Sequence, residues 1–353
     1  MFGIFRKIYF KVLNTVFSAL LGNNKYAALS GYTWCSYLVY PKHFQSQQAS
    51  TYEPLAVVVG ANIGANSNDP IYSGLISDGR WSKQNWKGIF VEPVPNTMRV
   101  LKWMFKDLPN AEFLEVAVAK TEKRVEEGVM HVPVAPDVPG QGAAFVGQIS
   151  SLRKDYVESY QNGTQWTEHS HADSDFALKS TLQKINVKCM NFENAMRATE
   201  YLRTGNAIDF LVLDVEGTNS EVLESILDST IRPRGMLFEH GSMYHFESPS
   251  YKTEFTSKAF PGDQIDAHVM YWAGKLINLG YIVVMLSNFD MFAISADHHQ
   301  LCLQDVKYRA MFQKYSTLML PPLSQHDLPF YRFRPFVYSL DWCLSFLKGK
   351  IWC

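Results

Sequence analysis

Short apolar runs that stop abruptly at Gly, Asp or Glu, separated by longer segments with helical spacing, recur along the chain from Leu55 onward. Ala56-Val57-Val58-Val59, Phe210-Leu211-Val212-Leu213 and Ile282-Val283-Val284-Met285-Leu286 are continuous in apolar residues rather than alternating. A strand reads that way when both of its faces are buried, which is the situation inside a parallel sheet covered by helices on each side. The pattern therefore predicts a doubly wound α/β sheet. Strands are expected at 55–59, 88–92, 112–118, 209–214, 236–239 and 281–286, and helices at 97–105, 192–203 and 220–227, the last capped by Asn219 or Ser220. Between Gly128 and Thr181 the pattern loosens into Pro- and Gly-rich, then polar, sequence, which suggests a long insertion or lid.

Composition narrows the function classes. With 47% apolar residues in 353 the chain can bury a real core, and 33 Lys plus Arg against 34 Asp plus Glu leave a net charge of -1. A chain this balanced is not expected to take nucleic acid as its partner. The five cysteines are widely spaced and form no CxxC pair, so neither a disulfide framework nor a zinc site is expected from them. The chain is expected in the cytoplasm. Met1 to Gly22 carries an apolar stripe with Arg6, Lys7 and Lys11, too short after Lys11 to span a bilayer. It fits either a terminal helix packed on the domain or a basic amphipathic helix in peripheral contact with a membrane surface. The aromatic-rich segment from Pro329 to Cys353 reads as a docked tail or a partner surface. The resulting division is an N-terminal extension over 1–50, a main domain over 51–300 with the insertion at 128–181, and a C-terminal extension over 301–353.

Three strand ends carry the chemistry. The first runs into Gly60-Ala61-Asn62-Ile63-Gly64, where glycine lets backbone atoms approach a ligand that any side chain would block. The dinucleotide pattern GxGxxG is absent, which ranks a nicotinamide-dependent oxidoreductase low. The second strand ends in Val91-Glu92-Pro93-Val94-Pro95, placing an acid about thirty residues on, at a neighbouring strand end, where a carboxylate can accept both ribose hydroxyls of an adenosine. The third ends in Asp214-Val215-Glu216-Gly217, with two carboxylates on one side of an extended chain. These could hold a metal, orient a substrate hydroxyl or accept its proton, or simply cap a helix and pair with an Arg.

Taken in order, these motifs resemble the FkbM-type methyltransferases. GANIG lies at Gly60 to Gly64, VEPxP at Val91 to Pro95 and DVEG at Asp214 to Gly217, with Glu221-Val222-Leu223 following as the family's helix does. Val187 to Met196 resembles the strand and helix before the DVEG strand, with Glu193 where the family usually has Asp. The resemblance runs from about Leu55 to Leu286 and implies a Rossmann-like sheet of the class I methyltransferase type, with S-adenosylmethionine as cofactor. It implies further that Gly60, Ala61, Asn62 and Gly64 line the cofactor, that Glu92 meets the ribose, and that Asp214 sits near the sulfonium and the acceptor. Asp214 is then the first candidate base and His240 the second.

One departure stands out. The family commonly has an Asp two positions before the first glycine, where this chain has Val58, so either cofactor binding is weakened or Asn62, Asn66 or Asp69 supplies the missing polar contacts from the same loop. Asp214, Glu216, Glu239 and His240 could together hold a divalent metal, oxygen-rich ligation favouring magnesium or manganese; hydrogen bonding without metal is the alternative. The activity implied is O-methyl transfer to a hydroxyl of a sugar, glycan or related small molecule, with Tyr156, Tyr160 and Trp166 of the insertion as candidates to stack on sugar faces. Val58 leaves a second reading open, a catalytically silent binding module acting through its terminal extensions.

Overall fold

A computed structural model of the chain describes residues 53–64, 71–77, 79–83, 85–134, 150–161, 181–239, 264–285, 290–304, 306 and 309. Both terminal extensions fall mostly or wholly outside these residues.

Among the described residues ten strands form two sheets: β1 (Leu55–Val59), β2 (Lys87–Val91), β3 (Ala111–Leu114), β4 (Ala117–Val118), β5 (Glu126–Val134), β6 (Thr181–Met190), β7 (Phe210–Leu213), β8 (Gly235–Glu239), β9 (Tyr281–Met285) and β10 (Asp290–Ser295). Seven of them make the central sheet in the order β3-β2-β1-β7-β8-β10-β9. The first five are parallel, and β10 runs antiparallel to both β8 and β9. Helices are α1 (Arg80–Lys83), α2 (Pro95–Met104), α3 (Lys154–Gln161), α4 (Phe192–Arg197), α5 (Glu200–Arg203), α6 (Asn219–Asp228), α7 (Gln264–Asn278) and α8 (Ala296–Cys302). This is the doubly wound α/β sheet that the apolar runs predict.

The period of two along β1 separates the cores. Leu55, Val57 and Val59 pack on one face with Phe192 and Met196 of α4, Val222 and Leu223 of α6 and Trp272 of α7. Ala56 and Val58 face the other side, against Met98 and Leu101 of α2 and the buried indoles of Trp81 and Trp86. Five buried apolar residues in a row are thus divided between two helical layers, and each Leu or Val side chain removed from water contributes roughly 1.5–3 kcal/mol. At the amino end of the sheet Asp209 accepts the Leu55 N–H at 2.9 Å and the Arg234 guanidinium at 2.6 Å, which ties β1, β7 and β8 together.

Three expectations need correction. The single strand expected over 112–118 is two strands in different sheets: β3 ends the central sheet, the chain turns at Glu115 and Val116, and β4 pairs with β6. The helix expected over 192–203 is broken at Thr199, whose buried hydroxyl donates to the Met196 carbonyl at 2.6 Å and turns the chain into α5. The loosened segment begins as a long strand, since β5 pairs antiparallel with β6 through to Val134. Pro133 hides that strand in the sequence, yet β5 is an edge of its sheet, where a missing N–H donor is tolerated. Cys189 is a buried free thiol in the small sheet, and Cys302 is disulfide-bonded. Among the described residues no helix is long and apolar enough to cross a membrane.

Candidate functional site

The chain leaves β1, builds outward through β2 to β3, then returns to the other side of β1 as β7. The crevice at such a reversal, outside the carboxyl ends of the strands, is where open α/β sheets receive ligands. Here it is a cleft of about 300 Å³, lined by the turns after β1, β2 and β7, the end of β8 and, on one wall, the small sheet. Gly60, Ala61, Asn62, Gly64, Glu92, Asp214, Glu216 and Glu239 all reach it, although they come from four strand ends. His240, Asn66 and Asp69 lie outside the described residues, as does Trp166.

The glycine turn is held hard against its neighbours. The N–H groups of Gly60 and Ala61 both donate to the Val91 carbonyl, at 3.0 and 2.9 Å, and the Asp214 N–H donates to Val59 at 3.0 Å. Gly60 has φ +84°, and a Cβ placed on it would lie 1.9 Å from the Asp214 carbonyl oxygen. Only glycine allows the β1 and β7 turns to meet this closely. A Cβ on Gly64 would strike Leu101 and Phe105 at 2.5 Å, so the second glycine lets the turn pack on α2.

Glu92 organises the cleft. It is 6% exposed, and its two carboxylate oxygens each accept a backbone N–H, Oε2 from Asn62 at 3.0 Å and Oε1 from Val94 at 2.9 Å. Asn62 reaches it because its backbone is left-handed at φ +48°, a conformation asparagine tolerates, while its own Oδ1 accepts the Ile63 N–H at 2.7 Å. Burial pushes the Glu92 carboxyl up to about 7, and the two N–H donors offset part of that rise. Each oxygen retains accepting capacity beyond the one bond described.

The folded pKa lies above the ordinary value of 4.5, so the folded chain holds this proton where the unfolded chain has lost it. Its contribution to stability is full below about 4.5 and is lost as pH rises through about 7. Ligand binding follows the opposite sign if the ionised carboxylate accepts ribose hydroxyls. Adenosine affinity is then expected to be flat above about pH 7 and to fall up to tenfold per unit below it. Titration with adenosine from pH 5.5 to 8.5 checks this, and Glu92→Gln should flatten the profile.

Asp214 is exposed at the cleft, and its turn is braced from α6. Asn219 Oδ1 accepts the Val215 N–H at 2.9 Å. That corrects the capping expectation: Thr218 is the N-cap residue of α6 and makes no side-chain cap bond, and Asn219 turns back to the loop instead. Glu216 accepts a hydrogen bond from the Tyr156 hydroxyl. Tyr156 is 1% exposed and its ring lies under Gly217, so it is a buried wedge and not a stacking surface for a sugar. Among the described residues no group of three or more His, Cys, Asp and Glu is arranged to hold a metal.

Val58 is buried among apolar side chains on the floor of the cleft, so the position offers no polar group to a ligand. Sequence reasoning did not find Ser151, Thr218, Met130 or the Val116–Val118 stretch, all of which line the cleft. Val116–Val118 reads only as part of one continuous strand, and the β5 strand that carries Met130 is hidden by Gly128 and Pro133.

The model of the methyltransferase FkbM domain matches residues 59–271. No curated protein matches the chain. Among solved structures, the plantazolicin methyltransferase BpumL in complex with SAH is similar over 88% of this chain and 86% of that one, at 7% identity and a TM-score of 0.28.

Proposed function

The chain belongs to the FkbM methyltransferase family, and from that premise we propose that its cleft binds S-adenosylmethionine and directs the methyl group to a hydroxyl oxygen of a sugar, glycan or related small molecule. The observation that carries this reading is the Glu92 carboxylate, buried at the switch-point cleft, held by two backbone donors and retaining acceptor capacity for a vicinal diol. A neutral, flexible side chain would not hold two hydroxyls as firmly, because hydrogen bonds to a carboxylate are about twice as strong as neutral ones.

The fit to the cofactor rests on this chain's own groups. The Gly60 to Gly64 turn lines the cleft with its N–H groups bonded within the fold, and Glu92 stands at the adjacent strand end. Val58 presents an apolar floor, so the Asn62 amide and the carbonyl oxygens of the turn are the nearer polar groups for the amino-acid end. The cofactor supplies an electrophilic methyl group, and its transfer leaves a neutral thioether. Asp214, at the end of β7 directly beside the glycine turn, would accept the acceptor's hydroxyl proton as the oxygen–methyl bond forms. The rest of the work is positioning: the oxygen must lie behind the methyl carbon, and a cleft bounded by the rigid β1, β2 and β7 turns fixes that line.

Asp214→Asn retains the shape of the turn and removes the proton acceptor. It is expected to lower methyl transfer about a hundredfold with cofactor affinity within a few-fold of wild type. The test is release of S-adenosylhomocysteine across a panel of hydroxylated glycosides and glycans. Stimulation by a hydroxyl acceptor that Asp214→Asn abolishes supports the reading, and transfer confined to amine or carboxylate acceptors contradicts it.

A further inference from the structure

The turn that carries Asp214 is held from three directions. The sheet holds it through the Asp214 N–H on Val59. The following helix holds it through Asn219 on Val215. The third grip comes from outside the central sheet, from the segment 150–161. Ser151 is 1% exposed and exchanges two backbone hydrogen bonds with His131, at 2.8 and 3.1 Å, which fixes the segment to the edge strand β5. Its hydroxyl donates to the Glu216 carbonyl at 2.6 Å and accepts the Arg153 N–H at 3.0 Å. One turn further on, Tyr156 donates its hydroxyl to the Glu216 carboxylate.

Gly217 shows how tight this grip is. A Cβ there would lie 2.5 Å from the Tyr156 ring, and the residue has φ +74°. The ring therefore fills the space a side chain would take, and the hydroxyl reaches past it to Glu216. A phenylalanine would fill the same space, so packing alone does not call for the oxygen. A buried O–H needs an acceptor, and the one supplied is the carboxylate two residues from Asp214.

We propose that Tyr156 is a positioning residue: acting through Glu216 and Gly217, it sets the turn that presents Asp214 to the cleft. This rests on the cleft being the cofactor site proposed above. It also gives the second carboxylate of the turn a role. Glu216 is the handle by which the segment 150–161, fastened to the small sheet, holds the end of β7. Both carboxylates line the cleft, and Glu216 in addition anchors the backbone of the turn through Tyr156.

Tyr156→Phe isolates the hydroxyl, since the ring stays on Gly217. In the full chain, the amides of 215–218 should exchange at least fivefold faster while those of β1 and β7 keep their protection. Release of S-adenosylhomocysteine should fall three- to tenfold, with affinity for S-adenosylmethionine by calorimetry within a few-fold of wild type and a melting temperature close to wild type. Glu216→Gln keeps an acceptor oxygen for the Tyr156 hydroxyl and should leave exchange at the turn near wild type. Unchanged exchange at 215–218 in Tyr156→Phe overturns the proposal. So does loss of protection spread over the whole sheet, which would make the hydroxyl a general stability element. Absence of cofactor binding in the wild type would sink the reading of the cleft, while exchange at the turn still decides whether Tyr156 holds it.

Discussion

Gly60→Ala is expected to destabilise the fold by more than about 4 kcal/mol and to lower the melting temperature by about 10 °C or more. The added Cβ would sit 1.9 Å from the Asp214 carbonyl oxygen and 2.8 Å from its carbonyl carbon. Both are backbone atoms of the neighbouring strand end, pinned by the Asp214 N–H bond to Val59, so no side chain can swing aside to relieve the clash. Left-handed backbone alone accounts for only about 1–2 kcal/mol of the effect. Gly280→Ala separates the two terms, because Gly280 has φ +85° and, among the described residues, nothing within 4 Å of an added Cβ. Thermal unfolding of the two variants side by side is the measurement. If they melt within about 2 °C of each other, the β1 and β7 turns do not press together as described.

Glu92→Ala is expected to weaken S-adenosylmethionine binding about a thousandfold. Two hydrogen bonds from hydroxyls to a carboxylate contribute about 2 kcal/mol each, and about 4 kcal/mol is three decades in affinity. The variant also leaves the Asn62 and Val94 N–H groups without the acceptor that shapes the turn, so the loss should not be recovered by raising pH. Stability should move the other way above about pH 7, because a carboxylate whose burial pushes it up to about 7 is ionised there at a desolvation cost. Weaker binding together with an unchanged or higher melting temperature at pH 8 is the signature of a functional acid. A folded Glu92→Ala chain that binds as tightly as wild type would remove Glu92 from the ribose site.

The central sheet was legible in the sequence because its strands are buried on both faces. Ala56 to Val59 and Phe210 to Leu213 had to be apolar throughout, and both lie in the strands they announce. The turns at their carboxyl ends were legible for a related reason, since a strand that stops at glycine or acid marks the edge of the buried layer. Residues from four such ends meet in one cleft because the strand order reverses at β1.

The small sheet was only partly legible. Ile185, Val187 and Cys189 of β6 alternate with polar residues and the strand before α4 was expected from Val187, but β5 contains both Gly128 and Pro133. Gly128 is there for a packing reason: a Cβ would lie 2.4 Å from the Cys189 sulfur on β6. Tyr156 was read as a ligand-stacking aromatic because an aromatic in a polar insertion carries no mark of burial. Its partner is Glu216, 60 residues away, and only the fold brings the two together. The same holds for Asn219, whose place at the start of a helix suggested a cap but whose side chain closes the turn behind it.

On the proposed function, one cleft, built from the turns after β1, β2 and β7, binds S-adenosylmethionine despite the apolar Val58 on its floor. Titration of the full wild-type chain with S-adenosylmethionine, followed by amide exchange with and without the cofactor, tests it most directly. One-to-one saturable binding with new protection at 60–64, 92–94 and 214–218 is the result expected. No binding to folded protein at millimolar cofactor, or protection that appears elsewhere and leaves these three turns unchanged, would contradict it.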